Sequence, residues 1–164
     1  MMNFNFNVSE LIFALPEIFL LSAISFILLF DLFVSEQYKK YTYHLSQLAL
    51  IVTGVLAFSL IGESATIFSG TFVLDNLGST FKVFILGFSV IALVYSRQYL
   101  RVHDLLRNEY YILALMSILG MMVMISGHSL LTLYLGLEIM SLSLYALIAT
   151  ARDRAFAIEA ALKY

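Results

Sequence analysis

Residues 126–150 read SGHSLLTLYLGLEIMSLSLYALIAT. From Leu130 to Thr150 the stretch is apolar except for hydroxyls, tyrosines and one carboxylate, Glu138. It is long enough to cross a hydrocarbon layer, which takes about 20 helical residues. Upstream, Tyr110 to Ile125 is a second apolar segment, and only Ser126-Gly127-His128-Ser129 separates the two. So short a connection forces an antiparallel helical hairpin.

The same character extends through the chain. Of its 164 residues 62% are hydrophobic and 12% charged, a balance outside that of water-soluble domains. Fourteen Phe and ten Tyr, with one Pro and no Trp, suit long helices with interfacial aromatics better than the alternating strands of a lipid-facing barrel. The absence of Cys excludes disulfides, thiolate metal sites and thiol nucleophiles, and three scattered His argue against a protein-bound metal. A net charge of -2 offers no basic surface for nucleic acid.

The sequence predicts an all-α, polytopic transmembrane bundle of five complete spans plus the start of a sixth. The spans are placed at about residues 11–34, 45–61, 77–95, 110–125 and 130–150, with the last beginning at 155–164. The amino terminus, MMNFNFNVSE, lacks the basic region of a cleavable signal, so the first span is expected to be retained. Lys39 and Lys40, then Arg97, Arg101 and Arg107, then Arg152 and Arg154 occupy alternate connections, which puts those connections inside and the amino terminus outside. No repeat or linker divides the chain.

Glu138 lies two residues from the midpoint of its span, about 3 Å along the axis, too deep for either interface. At 100° per residue Tyr134, Glu138, Ser141 and Tyr145 form one stripe, whereas Leu133, Leu137, Met140, Leu144 and Leu147 lie away from it. The stripe is expected to face protein or water, in the direction of the bundle. A carboxylate there must be neutral or face a cation, and either state suits a proton carrier. The competing structural account is a static interhelical hydrogen bond.

Glu159 and Lys163 stand four apart in the favourable order for an intrahelical pair, and Lys163 would enter the membrane if its helix continues. Lys82, one turn inside a span, fits a snorkelling role and is a secondary candidate. Asp31 is expected to meet solvent or a loop cation. His128, His44 and His103 read as loop residues, and Met121, Met122 and Met124 as packing. Gly120 and Gly136 offer small surfaces for helix contact. No phosphate loop or nucleophile–base pair is visible.

The stretch NEYYILALMSILGMMVMISGHSLLTLYLGLEIMSLSLYALIA, continued through EAALKY, resembles the antiporter-like subunit N family of proton-translocating NADH:quinone oxidoreductase, respiratory complex I. LPEIFLL and VLDNLGSTFKVFILG are weaker likenesses to the same family. The resemblance implies the N-terminal part of one antiporter-like membrane domain over residues 1–164. It also implies that Glu138 takes part in proton translocation, with Lys163 and Glu159 matching a charged pair on the sixth helix. The partners implied are the other membrane-arm subunits and the bilayer. NAD, FMN, iron–sulfur clusters and quinone would act elsewhere in the complex, with no bond-making chemistry in this chain alone. The implied location is a bacterial inner membrane, with the mitochondrial inner membrane as the alternative. A subunit of a multisubunit cation/proton antiporter and a non-transporting scaffold fragment are the other functional readings.

Overall fold

In the computed structural model, residues 10–33, 40–102 and 107–149 are described. A short helix α1 (Glu10–Phe13) leads through a turn at Ala14 into α2 (Leu15–Phe33). Pro16 sits in the first turn of α2, where its missing N–H is no loss. Next come α3 (Lys40–Ser59), α4 (Asn76–Val102), α5 (Asn108–Ser126) and α6 (Leu130–Ala149). These last five are, among the described residues, the helices long and apolar enough to cross a membrane. They correspond to the five complete spans expected; the start of the sixth lies outside the described residues.

The surface explains the composition. Leu21, Phe26 and Leu29 on α2, Ile51, Val55 and Phe58 on α3, and Phe81, Phe84, Phe88 and Ile91 on α4 all point outward. A lipid solvent accepts such a surface, whereas water does not tolerate patches of this extent. Small polar groups sit inside instead. Ser46, Thr53, Ser117 and Ser143 are buried and satisfy themselves by donating to carbonyls one turn back, at 2.8, 2.7, 2.9 and 2.6 Å.

The bundle is organised around α5, which packs against α2, α3, α4 and α6. Its Tyr111, Leu115 and Met122 are fully buried with Leu20, Ile27, Leu50 and Leu86 of the surrounding helices. Met122 thus fills the core, as expected of this run. Gln47 Nε2 on α3 donates to the Val90 carbonyl of α4 at 3.3 Å. At the far end, Asp31 Oδ1 accepts from Thr42 Oγ1 at 2.9 Å and Asn108 Nδ2 at 2.7 Å, tying α2 to the starts of α3 and α5. Protein hydroxyl and amide donors therefore meet this half-buried carboxylate.

The connection before α4 departs from an all-helical picture. Strands β1 (Ala65–Ile67) and β2 (Phe72–Leu74) pair antiparallel, with Ala65 opposite Leu74 and Ile67 opposite Phe72. A 3-10 turn closes them through Phe68, Ser69 and Gly70, all at positive φ. Open strand edges are excluded from hydrocarbon, so this hairpin belongs at the membrane boundary. It is fastened to the turn between α5 and α6: Phe72 bridges Gly127, and the His128 amide donates to the Thr71 carbonyl at 2.9 Å.

Candidate functional site

The rotation of α6 is set by two glycines. A Cβ on Gly120 would lie 2.6 Å from the Met140 nitrogen and 2.8 Å from the Gly136 oxygen. One on Gly136 would lie 2.9 Å from the Met124 nitrogen and 3.0 Å from the Gly120 oxygen. Backbone meets backbone here, a contact that only residues without a side chain permit. Gly136 and Ser143 are accordingly the buried residues of α6.

Glu138 follows Gly136 by two residues, or about 200° of helical rotation at 3.6 residues per turn, so it leaves the opposite side of α6 from the α5 contact. It is half-buried, with the Tyr134 hydroxyl within hydrogen-bonding reach of its carboxylate. Ser141 Oγ donates to its backbone carbonyl at 3.3 Å. The stripe Tyr134–Glu138–Ser141–Tyr145 exists as a stripe, but among the described residues it faces away from α5, and Tyr134 is 60% exposed. The glycine contact decides this direction, and helical periodicity alone did not carry that information.

A second charged site lies at the end where α2 and α4 begin. Glu17, in the first turn of α2, forms an ion pair with Lys82 of α4, and the two side chains are 8% and 2% exposed. Phe72 of β2 lies with its ring 5.1 Å from the Lys82 Nζ, a cation–π distance. Snorkelling is therefore not what Lys82 does. An acidic neighbour and an aromatic roof hold its ammonium inside, so the stem has no reason to reach for water. Asp75 fixes the start of α4 by accepting from the Gly78 amide at 2.8 Å, an N-cap that sets the register of Lys82 about two turns later.

Glu17 is the site residue that sequence reasoning missed. The signal was available. With α2 and α4 running the same way, Glu17 and Lys82 are isolated opposite charges at matching depths of two apolar helices. Glu159 and Lys163 lie outside the described residues. His128 contributes its backbone amide to the hairpin contact already described.

Comparison with known proteins places this arrangement in context. Residues 126–164 match the family described as NADH:quinone oxidoreductase/Mrp antiporter, TM. NADH-quinone oxidoreductase subunit N of Ruthia magnifica is 64% identical over 160 residues, which are 97% of this chain and 33% of that protein. The chain is a sequence relative of subunit N. The same subunit of Halorhodospira halophila is 48% identical over 98% of the chain, and that of Alkalilimnicola ehrlichii 45% over 98%. The chain thus spans about a third of the length of the subunit N relatives it matches. In fold, a chain of respiratory complex I from Thermus thermophilus with bound aureothin superposes with a TM-score of 0.72 at 24% identity, covering 91% of this chain and 32% of that one.

Proposed function

We propose that this chain is part of a proton-translocating membrane subunit of bacterial NADH:quinone oxidoreductase, and that Glu138 is one of its proton-carrying groups. The observation that carries the reading is a lone carboxylate near the middle of a membrane span, on a helix whose rotation is fixed by backbone contact. Kinship with subunit N over nearly the whole chain supports it. NADH oxidation and quinone reduction belong to other subunits, with their NAD, FMN and iron–sulfur groups. This chain supplies a group whose protonation changes when the environment around α6 changes.

The chemistry follows from solvation. An ionised carboxylate in hydrocarbon costs several kcal/mol, about what separates its charged and neutral forms there, so a modest change in hydration or in a facing cation decides whether it holds a proton. Tyr134, one turn away, can donate to the ionised form. On the strength of the family resemblance, Lys163 and Glu159 are proposed as further members of the same charged path. The loop cations orient the amino terminus to the outside of a bacterial inner membrane. The family description also covers Mrp antiporters; relatives named subunit N over the full chain favour the oxidoreductase.

The test is Glu138→Gln in the assembled complex, read as protons moved per electron passed. A lowered ratio with normal assembly and NADH oxidation is expected. An unchanged ratio refutes the carrier role, and loss of subunit accumulation alone identifies a scaffold.

A further inference from the structure

We propose that the Glu17–Lys82 pair is a second proton-binding site, at the end of the bundle where α2 and α4 begin, roofed by the β1–β2 hairpin. The inference rests on the proposed function, since it supplies that pump with a further protonation site. In the resting form the pair is a carboxylate and an ammonium. In the loaded form a proton taken from water on that face resides on a Glu17 oxygen, and Lys82 keeps its own, so the site gains one positive charge. Unloading returns the proton and restores the pair.

Four observations carry this. First, the site has hydrogen-bonding capacity to spare. Beyond the ion pair that joins Lys82 to one Glu17 oxygen, the other Glu17 oxygen and the Ser79 hydroxyl are buried side-chain atoms without a hydrogen bond that satisfies them among the described residues. Ser79 precedes Lys82 by three residues on the same face of α4, and the Ser126 hydroxyl is a hydrogen-bonding neighbour of Glu17. A pair kept for stability alone is normally saturated, because each unsatisfied buried polar atom costs energy. Spare donors and acceptors around a carboxylate are what an arriving proton and its water require.

Second, the charge environment is simple. Among the described residues the charged group that acts on Glu17 is Lys82. On the other packed elements, Asp75 precedes α4 and is engaged with the Gly78 amide, Ser126 ends α5, Phe72 is the β2 neighbour, and His128 follows in the turn beyond Ser126. Third, a buried ion pair is weak support for a fold, since an apolar pair of similar volume often does as well, and charges inside membrane helices mark ion paths by default.

Fourth, the site is mechanically joined to the helix that carries Glu138. Phe72 touches both Lys82 and Gly127, and the Thr71–His128 hydrogen bond ties the same hairpin to the start of α6. Ser126 lies six residues along α5 from Gly120, opposite Glu138's turn of α6, so the two sites are separated by about 9 Å of helix axis. A shift of α6 moves the roof of the Glu17–Lys82 site.

The experiment compares Glu17→Leu/Lys82→Leu with Glu138→Gln in the assembled complex, measuring complex abundance and protons moved per electron. The double variant removes both charges and is expected to assemble, with loss of part of the proton yield. A full yield in the double variant overturns the inference; if Glu138→Gln is also silent, the proposed function falls with it. Should the double variant fail to assemble, the unmodified complex decides. Carbodiimide modification of Glu17, followed by mass spectrometry at rest and during NADH turnover, is expected to differ between the two states. Modification that is absent, or equal in both, overturns the proposal.

Discussion

Replacing Gly120 by Ala adds one methyl group at the α5–α6 crossing. Its carbon would sit 2.6 Å from the Met140 nitrogen, 2.8 Å from the Gly136 oxygen and 2.9 Å from the Met140 Cβ. Comfortable separations between such atoms are about 3.5 Å or more, so the helices must part by roughly 1 Å. Two of the three obstacles are backbone and have no rotamer to change. The cost is that of overpacking, about 1–3 kcal/mol. Gly87 provides the internal control, since a Cβ there meets nothing within 4 Å. Gly87→Ala should therefore gain up to about 1 kcal/mol from helix propensity. Reversible unfolding in bicelles, followed by circular dichroism, measures both. If the Gly120 variant unfolds no more easily than the Gly87 variant, backbone contact does not fix α6, and the argument for the direction of Glu138 collapses with it.

Other perturbations test separate joints. Lys82→Met alone strands a buried Glu17 carboxylate and should cost about 3–5 kcal/mol, while the matched apolar double replacement should cost far less; unfolding midpoints of the two check the difference. Asn108→Ala removes a 2.7 Å donor to Asp31 and should destabilise by about 1–3 kcal/mol, measured the same way. His128→Ala should be silent, because its amide makes the contact to Thr71, whereas His128→Pro removes that donor and should increase proteolysis of the 65–74 hairpin. Gly70, at φ 85°, should lose about 1–2 kcal/mol on conversion to Val, seen as lowered thermal stability.

The helical framework was legible because a bilayer imposes one requirement, a long apolar run, that composition alone reveals. Its ends were less so. Helix α4 continues past Tyr95 to Val102 because Arg97 and Arg101 extend a helix beyond hydrocarbon, and Arg97 lies 4.1 Å from the Tyr43 ring. Hydropathy falls there while the hydrogen-bond ladder does not. The β1–β2 hairpin was hidden for another reason: strands of three residues carry too little alternation to be recognised, and their stability comes from the Gly127 and His128 contacts far along the chain. At the sites, Glu138 announced itself as an isolated charge. Lys82 was seen but misjudged, because its partner lies on another helix and pairwise depth is not a property of one segment. The facing of Glu138 depended on Gly120 and Gly136, whose role emerges only when two helices are brought together.

The glycine contact makes α6 resemble an axle on a fixed bearing. A carboxylate at about 5–6 Å from the helix axis travels about 2 Å when the axle rolls by about 20°. That distance separates a made hydrogen bond from a broken one. The close backbone contact at Gly120 and Gly136 holds α6 against sliding and sets its mean rotation, so the motion left to it is a roll of this small size about that contact. The degree of freedom left to this helix is thus the one that converts a small mechanical input into a change of the solvent that Glu138 experiences.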